Sequence, residues 1–274
     1  MRWLKIQNLE RIANEIRADL IKLHNRTHTS HIGSEFSSID IMVELYYDVM
    51  NISPENYLKT DRDYFILSKG HAAPALYSIL CRRGFISRDI FDSYGKNGSS
   101  LAEHPKRETY GIDASTGSLG HGLSIACGIA YSLKYSKNNG RVFCLLSDGE
   151  CQEGSTLEAG MFAGRMKLDN LIAIIDNNGI QGYERTSSIQ TISSVEGKFL
   201  ASGWDVSTMN GHDYSEMRSN FLRVPSVEGK PSLLIANTVK GKGVGEMEDK
   251  LEWHYKSPSD VEVPSFLRQL GDFE

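Results

Sequence analysis

Asp148 and Asn178 stand thirty positions apart, each followed by a glycine. Each also lies just beyond an apolar run, Val142 to Leu146 before the first and Leu171 to Ile175 before the second. Either dipeptide alone reads as an ordinary turn after a strand. Together they offer a carboxylate and an amide oxygen, and magnesium is commonly held by one or two such protein oxygens, with water and substrate phosphate completing an octahedron. Four histidines, His31, His71, His104 and His254, sit in loops that follow or precede regular elements. A histidine in such a place is often surface or core, but imidazole also exchanges protons near neutral pH.

The elements that must position these groups can be read from periodicity. Leu157, Met161, Gly164 and Leu168 recur at one-face helical spacing, so Val142 to Ile175 reads as strand, helix, strand. That crossover makes the two strands parallel neighbours, with the ligand crevice at their carboxyl ends. Asp148 and Asn178 are therefore expected side by side. Upstream, Leu9, Ile12, Ala13, Ile16, Leu20 and Leu23 mark one face of a long helix ending near His24 to Thr29. Ser30 to Ser34 reads as irregular, and the next helix is expected to start at Ser37, where S-x-x-D has the form of a capping box, and to run to Asn51.

Asp63 to Leu67 is a short expected strand ending in Ser68-Lys69-Gly70-His71, with Pro74 in the first turn of the following helix and Gly84 stopping it. Residues from Gly95 to Ser118, including His104, form a long expected loop, and a helix resumes at Leu119 to Gly122. Trp204 to Val206 and Leu233 to Ala236 are further expected strands, the second followed by the glycine-rich Thr238 to Val244. No internal repeat or linker interrupts the chain. The expectation is α/β, a parallel sheet with helices on both faces, as one domain over 1–274 with 256–274 a short carboxyl-terminal extension.

Composition narrows the class of partner. A net charge of −5 and the lack of a basic run argue against a nucleic-acid binder. The amino terminus has scattered charges and no apolar signal core, and no apolar run approaches a membrane span, so a soluble cytoplasmic protein without membrane partners is expected. Cys81, Cys127, Cys144 and Cys151 show no metal-binding spacing and read as buried reduced thiols.

The run Asp148-Gly149-Glu150, Glu153-Gly154, Glu158-Ala159, Asn170-Leu171-Ile172 and Asp176 to Ile180 resembles the thiamine-diphosphate motif of transketolases, with Ser147 at the usual first glycine. Ser30-His31-Ile32-Gly33, Ser68 to Ala72, Glu103-His104-Pro105, Thr116 to Gly122, Lys240 and Trp253-His254 resemble further transketolase segments, in the family's order. Ser30, Ile32, His121 and Tyr255 depart from the usual residues, all close to the expected sugar channel.

The resemblance implies a thiamine-diphosphate-binding fold in which Asp148, Asn178 and the main-chain carbonyl of Ile180 hold Mg2+, with Ca2+ or Mn2+ as substitutes. It implies a cofactor-binding set of His71, Gly117, Ser118, Leu119, Asp148, Gly149, Glu150, Asn178, Lys240 and His254. His31, His71, His104 and His254 would be the catalytic imidazoles, and Glu153 and Glu158 interface carboxylates. The match covers only the family's first domain. A second subunit is therefore expected to bring the pyrimidine-binding and carboxyl-terminal domains, in an α2β2 assembly that transfers a ketol unit between sugars. The α subunit of a 2-oxo-acid dehydrogenase, or a non-catalytic thiamine-diphosphate-binding scaffold subunit, are the alternatives.

Overall fold

The structure is a computed structural model that describes residues 4–271. Helix α1 (Ile6–Thr27) ends where His28 turns left-handed, with φ 53°, and its N–H caps His24 O. Helix α2 (Ile32–Glu44) passes into a π-helical turn at Leu45–Val49. Strand β1 (Tyr64–Leu67) leads through a 3₁₀ turn into α3 (Ala73–Arg82), followed by α4 (Arg88–Asp92). After a long loop come α5 (His121–Tyr135), β2 (Val142–Ser147), α6 (Gly154–Arg165) and β3 (Leu171–Asn177). Then follow α7 (Ile192–Ala201), β4 (Asp205–Asn210), α8 (Tyr214–Arg223), β5 (Ser232–Asn237) and α9 (Val263–Leu270).

The five strands form one all-parallel sheet in the order β1-β2-β3-β5-β4. Because strand side chains alternate, each inner strand feeds both faces. Phe143, Leu145, Ile172, Ile174 and Leu234 join a core with α1, α2, α3, α8 and α9. Val142, Cys144, Leu171, Ala173, Ile175 and Leu233 join a second core with α5, α6 and α7. Helices thus cover both faces, as expected from the near-continuous apolar runs. Among the described residues no helix is long and apolar enough to cross a membrane. All four cysteines are free thiols, with Cys127, Cys144 and Cys151 buried and Cys81 half-buried.

Three expectations are corrected. The second helix begins at Ile32, not Ser37, and Ser37 is no cap: its hydroxyl is buried and donates to Ser34 O and Asp176 Oδ2. Asp40, the other half of the supposed capping box, is instead ion-paired with Arg17.

The buried face of α6 is Thr156, Ala159, Gly160 and Ala163, while Met161 is 64% exposed and Leu168 lies past the helix end. Size decided this packing over hydropathy: Trp204 Nε1 reaches Gly160 O at 2.8 Å, and a Cβ on Gly164 would lie 1.7 Å from Ser202 O. The third correction is that β3 continues through Asp176 and Asn177, so Asp176 sits inside the sheet and not in the loop beyond it.

Candidate active site

Ser147 at the end of β2 is paired in register with Asp176 of β3, so the two strands deliver Asp148 and Asn178 onto neighbouring turns. The turns are tied directly: Gly179 N–H donates to Asp148 Oδ2 at 2.8 Å. Thr186 Oγ1 donates to the same oxygen at 2.8 Å, and Gly149 N–H to the other at 2.8 Å. Burial raises the Asp148 carboxyl above its ordinary range, the hydrogen bond from Thr186 opposes this, and the charge of Asp176 adds to it.

Asn178 is oriented by its neighbours. Its Nδ2 donates to Asp176 Oδ2 and Ser37 Oγ, each at 3.3 Å, which turns Oδ1 the other way, to accept Ile180 N–H at 3.1 Å. Asp176, fully buried, also accepts from Ser37 Oγ and Thr238 Oγ1 and forms an ion pair with the fully buried Lys69. Burial pushes its carboxyl up, but Lys69 and the hydroxyls of Ser37 and Thr238 together outweigh this and hold it low. Lys69 Nζ also donates to Ser34 O at 2.7 Å, tying the turn after β1 to the start of α2.

Above this floor lie the histidines. His31 precedes α2 with φ 82°, in the left-handed region that a side chain disfavours, and its N–H donates to His254 O at 2.9 Å. Ring centroids of His31 lie 5.2 Å from His71 and 5.1 Å from His254, and His71 lies 6.2 Å from His254. Burial pushes the His31 imidazole down to about 4, with help from the charges of His104 and Lys240. Burial and then Lys240 push His254 down to about 3, and burial followed by Lys69 holds His71 well below its ordinary value. All three are neutral at pH 7. Lys240, wholly buried, donates to Ser34 Oγ at 2.7 Å and lies 3.1 Å from His254 Nδ1. Burial, then the charge of Lys69, lowers it to about 8.

These groups line one cleft of about 490 Å³, into which His31, His71, His104, His254, Gly117, Leu119, Asp148, Gly149, Glu153, Asn178 and Ile180 all face. Ser118 and Glu158 are exposed away from it, and Lys240 and Glu150 are buried behind it. Glu150 is a brace: Gly120 N–H donates to it at 2.7 Å, Ser147 N–H at 3.3 Å, and Ser68 Oγ also donates. Burial raises its carboxyl.

Ser34, Gln152, Gln181, Gly182 and Tyr183 line the cleft as well and had no distinguishing signal in the sequence. Lys69 and Asp176 stood inside the quoted motifs without a role, and Thr186 gave no signal at all.

The donor set suits a hard cation. Asp148 offers a buried carboxylate, Asn178 an outward amide oxygen and Ile180 a nearby carbonyl, all oxygens. Among the described residues no three His, Cys, Asp or Glu side chains converge on a metal position. That composition fits an ion completed by phosphate and water and not a cage built by protein alone. Gly117 adds open backbone on the other wall, where a Cβ would come no closer than 3.6 Å to the His104 ring.

Fold and cleft together define a parallel α/β domain with a metal-and-phosphate anchor at its strand ends and neutral imidazoles above it. Residues 8–273 match the family model described as transketolase, thiamine diphosphate binding domain. The chain belongs to the transketolase family, within that thiamine diphosphate-binding domain, and its enzymes are transferases.

It is 38% identical over 269 residues to one of the subunits of the apulose-4-phosphate transketolase of Phocaeicola vulgatus, covering 98% of this chain and 96% of that one. It is 37% identical over 248 residues to 6-deoxy-6-sulfo-D-fructose transketolase subunit SqwG of Clostridium sp. strain MSTE9, covering 90% of each. Human transketolase is 37% identical over 253 residues, of which the chain spans 40%. The transketolase structure of Campylobacter jejuni superposes with a TM-score of 0.89 at 32% identity, covering 98% of this chain and 43% of that one.

Proposed function

We propose that this chain is the amino-terminal, diphosphate-binding subunit of a two-component transketolase that moves a two-carbon ketol unit from a ketose to an aldose. The observation that carries the reading is the meeting of three neutral imidazoles, none more than 6.2 Å from another, above the oxygen set of Asp148, Asn178 and Ile180. The relatives it matches nearly end to end are named as subunits, which supports a partner bringing the pyrimidine-binding half, in an α2β2 assembly. Their names, an apulose phosphate and a sulfofructose, support a sugar phosphate or related modified ketose as donor. The compartment we infer is the cytoplasm.

Thiamine diphosphate, when bound, supplies the carbon nucleophile that carries the ketol unit. Mg2+ is the metal that Asp148, Asn178 Oδ1 and the Ile180 carbonyl would hold against its diphosphate, with Gly117 and Leu119 beside the ring system. The chain's imidazoles do the proton work: being neutral, His31, His71 and His254 each offer a sugar hydroxyl either an N–H donor or an acceptor nitrogen. Lys240, within hydrogen-bond reach of His254 Nδ1, leaves the proton of that ring on Nε2. His104, in the same cleft against Gly117, would contact a hydroxyl of the sugar. Glu153 and Glu158, both exposed at and beyond the cleft rim, are proposed to meet the partner.

The test is ketol transfer from xylulose 5-phosphate, and from apulose 4-phosphate, to an aldose phosphate by the chain alone and with its partner. Turnover only in the mixture is expected. Turnover by the rigorously purified chain alone overturns the two-component reading.

A further inference from the structure

We propose that His24 and Glu35, which lie outside the cleft, are a positioning pair for His31. The proposal deepens the ketol-transfer reading and rests on it. His24 is in the last turn of α1 and Glu35 in the first turn of α2, and both side chains are wholly buried, with Nε2 2.9 Å from Oε2.

A chain of hydroxyls fixes the other ring nitrogen. Thr27 Oγ1 donates to Leu23 O, so its contact with Thr29 Oγ1 at 2.9 Å makes Thr29 the donor there. Thr29 Oγ1 is then an acceptor for His24 Nδ1 at 2.9 Å, and Thr29 O, which can only accept, lies 3.0 Å from the same nitrogen. Nδ1 therefore carries a proton, facing the Thr29 carbonyl, and Nε2 shares a proton with the Glu35 carboxyl. Burial pulls the His24 imidazole down, but the charge of Glu35 together with the hydrogen bonds to Glu35 and Thr29 O outweighs it and the net direction is up, while burial raises the Glu35 carboxyl as well. The other charged or titratable groups around the pair are Lys69 beside Glu35, His31 beside His24, and Tyr94 beside Glu35.

The bonds close a ring around the backbone of His31. Glu35 N–H donates to His31 O at 3.1 Å, the Glu35 carboxylate holds His24, and His24 holds Thr29, two residues before His31. His31 itself has φ 82°, a conformation that persists only where the surroundings impose it. A buried ion pair is a poor source of stability compared with packed apolar residues. Glu35 Oε1, moreover, has no hydrogen-bond partner among the described residues. Holding the turn that presents His31 explains why so demanding a pair sits at that point.

The test compares the reconstituted enzyme carrying Glu35→Gln, or His24→Leu with Glu35→Leu, each alone and on a His31→Ala background. Glu35→Gln keeps the shape and guards against failure of the leucine pair to fold. The expected result is at least a tenfold fall in kcat/KM for the ketose, with the dissociation constant of magnesium and thiamine diphosphate within twofold. On the His31→Ala background the same changes are expected to have less than a twofold effect.

Effects that multiply on that background, or undiminished turnover, overturn the proposal. Long-range ¹H–¹⁵N spectra of the histidine-labelled full chain read the pair without turnover, so that failure of the ketol-transfer reading stays distinguishable. His24 is expected to carry its proton on Nδ1 at pH 8, with Glu35→Gln shifting the His24 Nε2 and His31 signals. A His24 ring without its Nδ1 proton in the wild type, or unmoved His31 signals, overturns the proposal.

Discussion

Lys240 Nζ lies 3.1 Å from His254 Nδ1, both behind and beside the cleft floor, and the ammonium can only donate. The contact assigns the tautomer of His254 and aims Nε2–H away from Lys240. Lys240→Met removes the donor, so a fall in turnover of roughly 100-fold is expected, the lower end of what a positioned proton-transfer group contributes. Because the wild-type lysine loses its proton at about 8, its activity is expected to fall above that pH, and the methionine variant's residual activity should lack that limb. An identical alkaline limb in both would assign it elsewhere.

The buried imidazoles make the fold sensitive to acid. His31 and His254 bind their protons near 4 and 3 in the folded chain against an ordinary 6.5, and His71 lies low as well. Between those values the unfolded chain binds more protons, so stability rises with pH across the interval and is lost as pH falls from 6.5 toward 3. Thermal melts at pH 7 and pH 5 should show the lower Tm at pH 5. On a chain carrying His31→Asn and His254→Asn the difference should shrink. For Lys240 the sign is the same at the other end, because its value is lowered from 10.5 to about 8 and stability rises between them.

Lys69 and Asp176 form a wholly buried ion pair. Removing one partner strands the other charge in the core, at a cost of about 3–5 kcal/mol. Lys69→Met should therefore lower Tm by roughly 10 °C for a chain of this size. Lys69→Met with Asp176→Asn should recover part of that loss, which a double-mutant cycle in urea would measure.

Gly122 lets α5 rest on the turn after β1, since a Cβ there would lie 2.4 Å from Ser68 Cβ and 2.6 Å from its Cα. The methyl group of Gly122→Ala must displace the segment carrying Lys69 and His71 and break the Ser68 contact with Glu150. Weaker cofactor binding and a Tm lower by several degrees are expected together, read by titration calorimetry and calorimetric melting.

The parallel sheet and its ligand edge were legible because each inner strand is an unbroken apolar run ending in a polar turn, and the spacing of Asp148 and Asn178 fits one crossover. The loop histidines were legible as a set only through the resemblance, since nothing in local sequence says that residues 31, 71 and 254 meet. Periodicity misread the face of α6, because it weighs hydropathy and Ala159, Gly160 and Ala163 are buried for their smallness. It also placed a cap at Ser37, where a tertiary acceptor, Asp176, claims the hydroxyl. Thr186 and the His24–Glu35 pair were invisible for the same reason: their meaning lies in partners far along the chain or across a turn.

The most direct test of the account is calorimetric titration of thiamine diphosphate, with and without magnesium, into the reconstituted complex carrying wild-type chain or Asp148→Ala. Asp148 is the one carboxylate of the proposed oxygen set. Magnesium-dependent binding by the wild type and its loss in Asp148→Ala, in a complex that stays folded and assembled, are expected. Equal magnesium-dependent affinity for both proteins would contradict the assignment of the cleft.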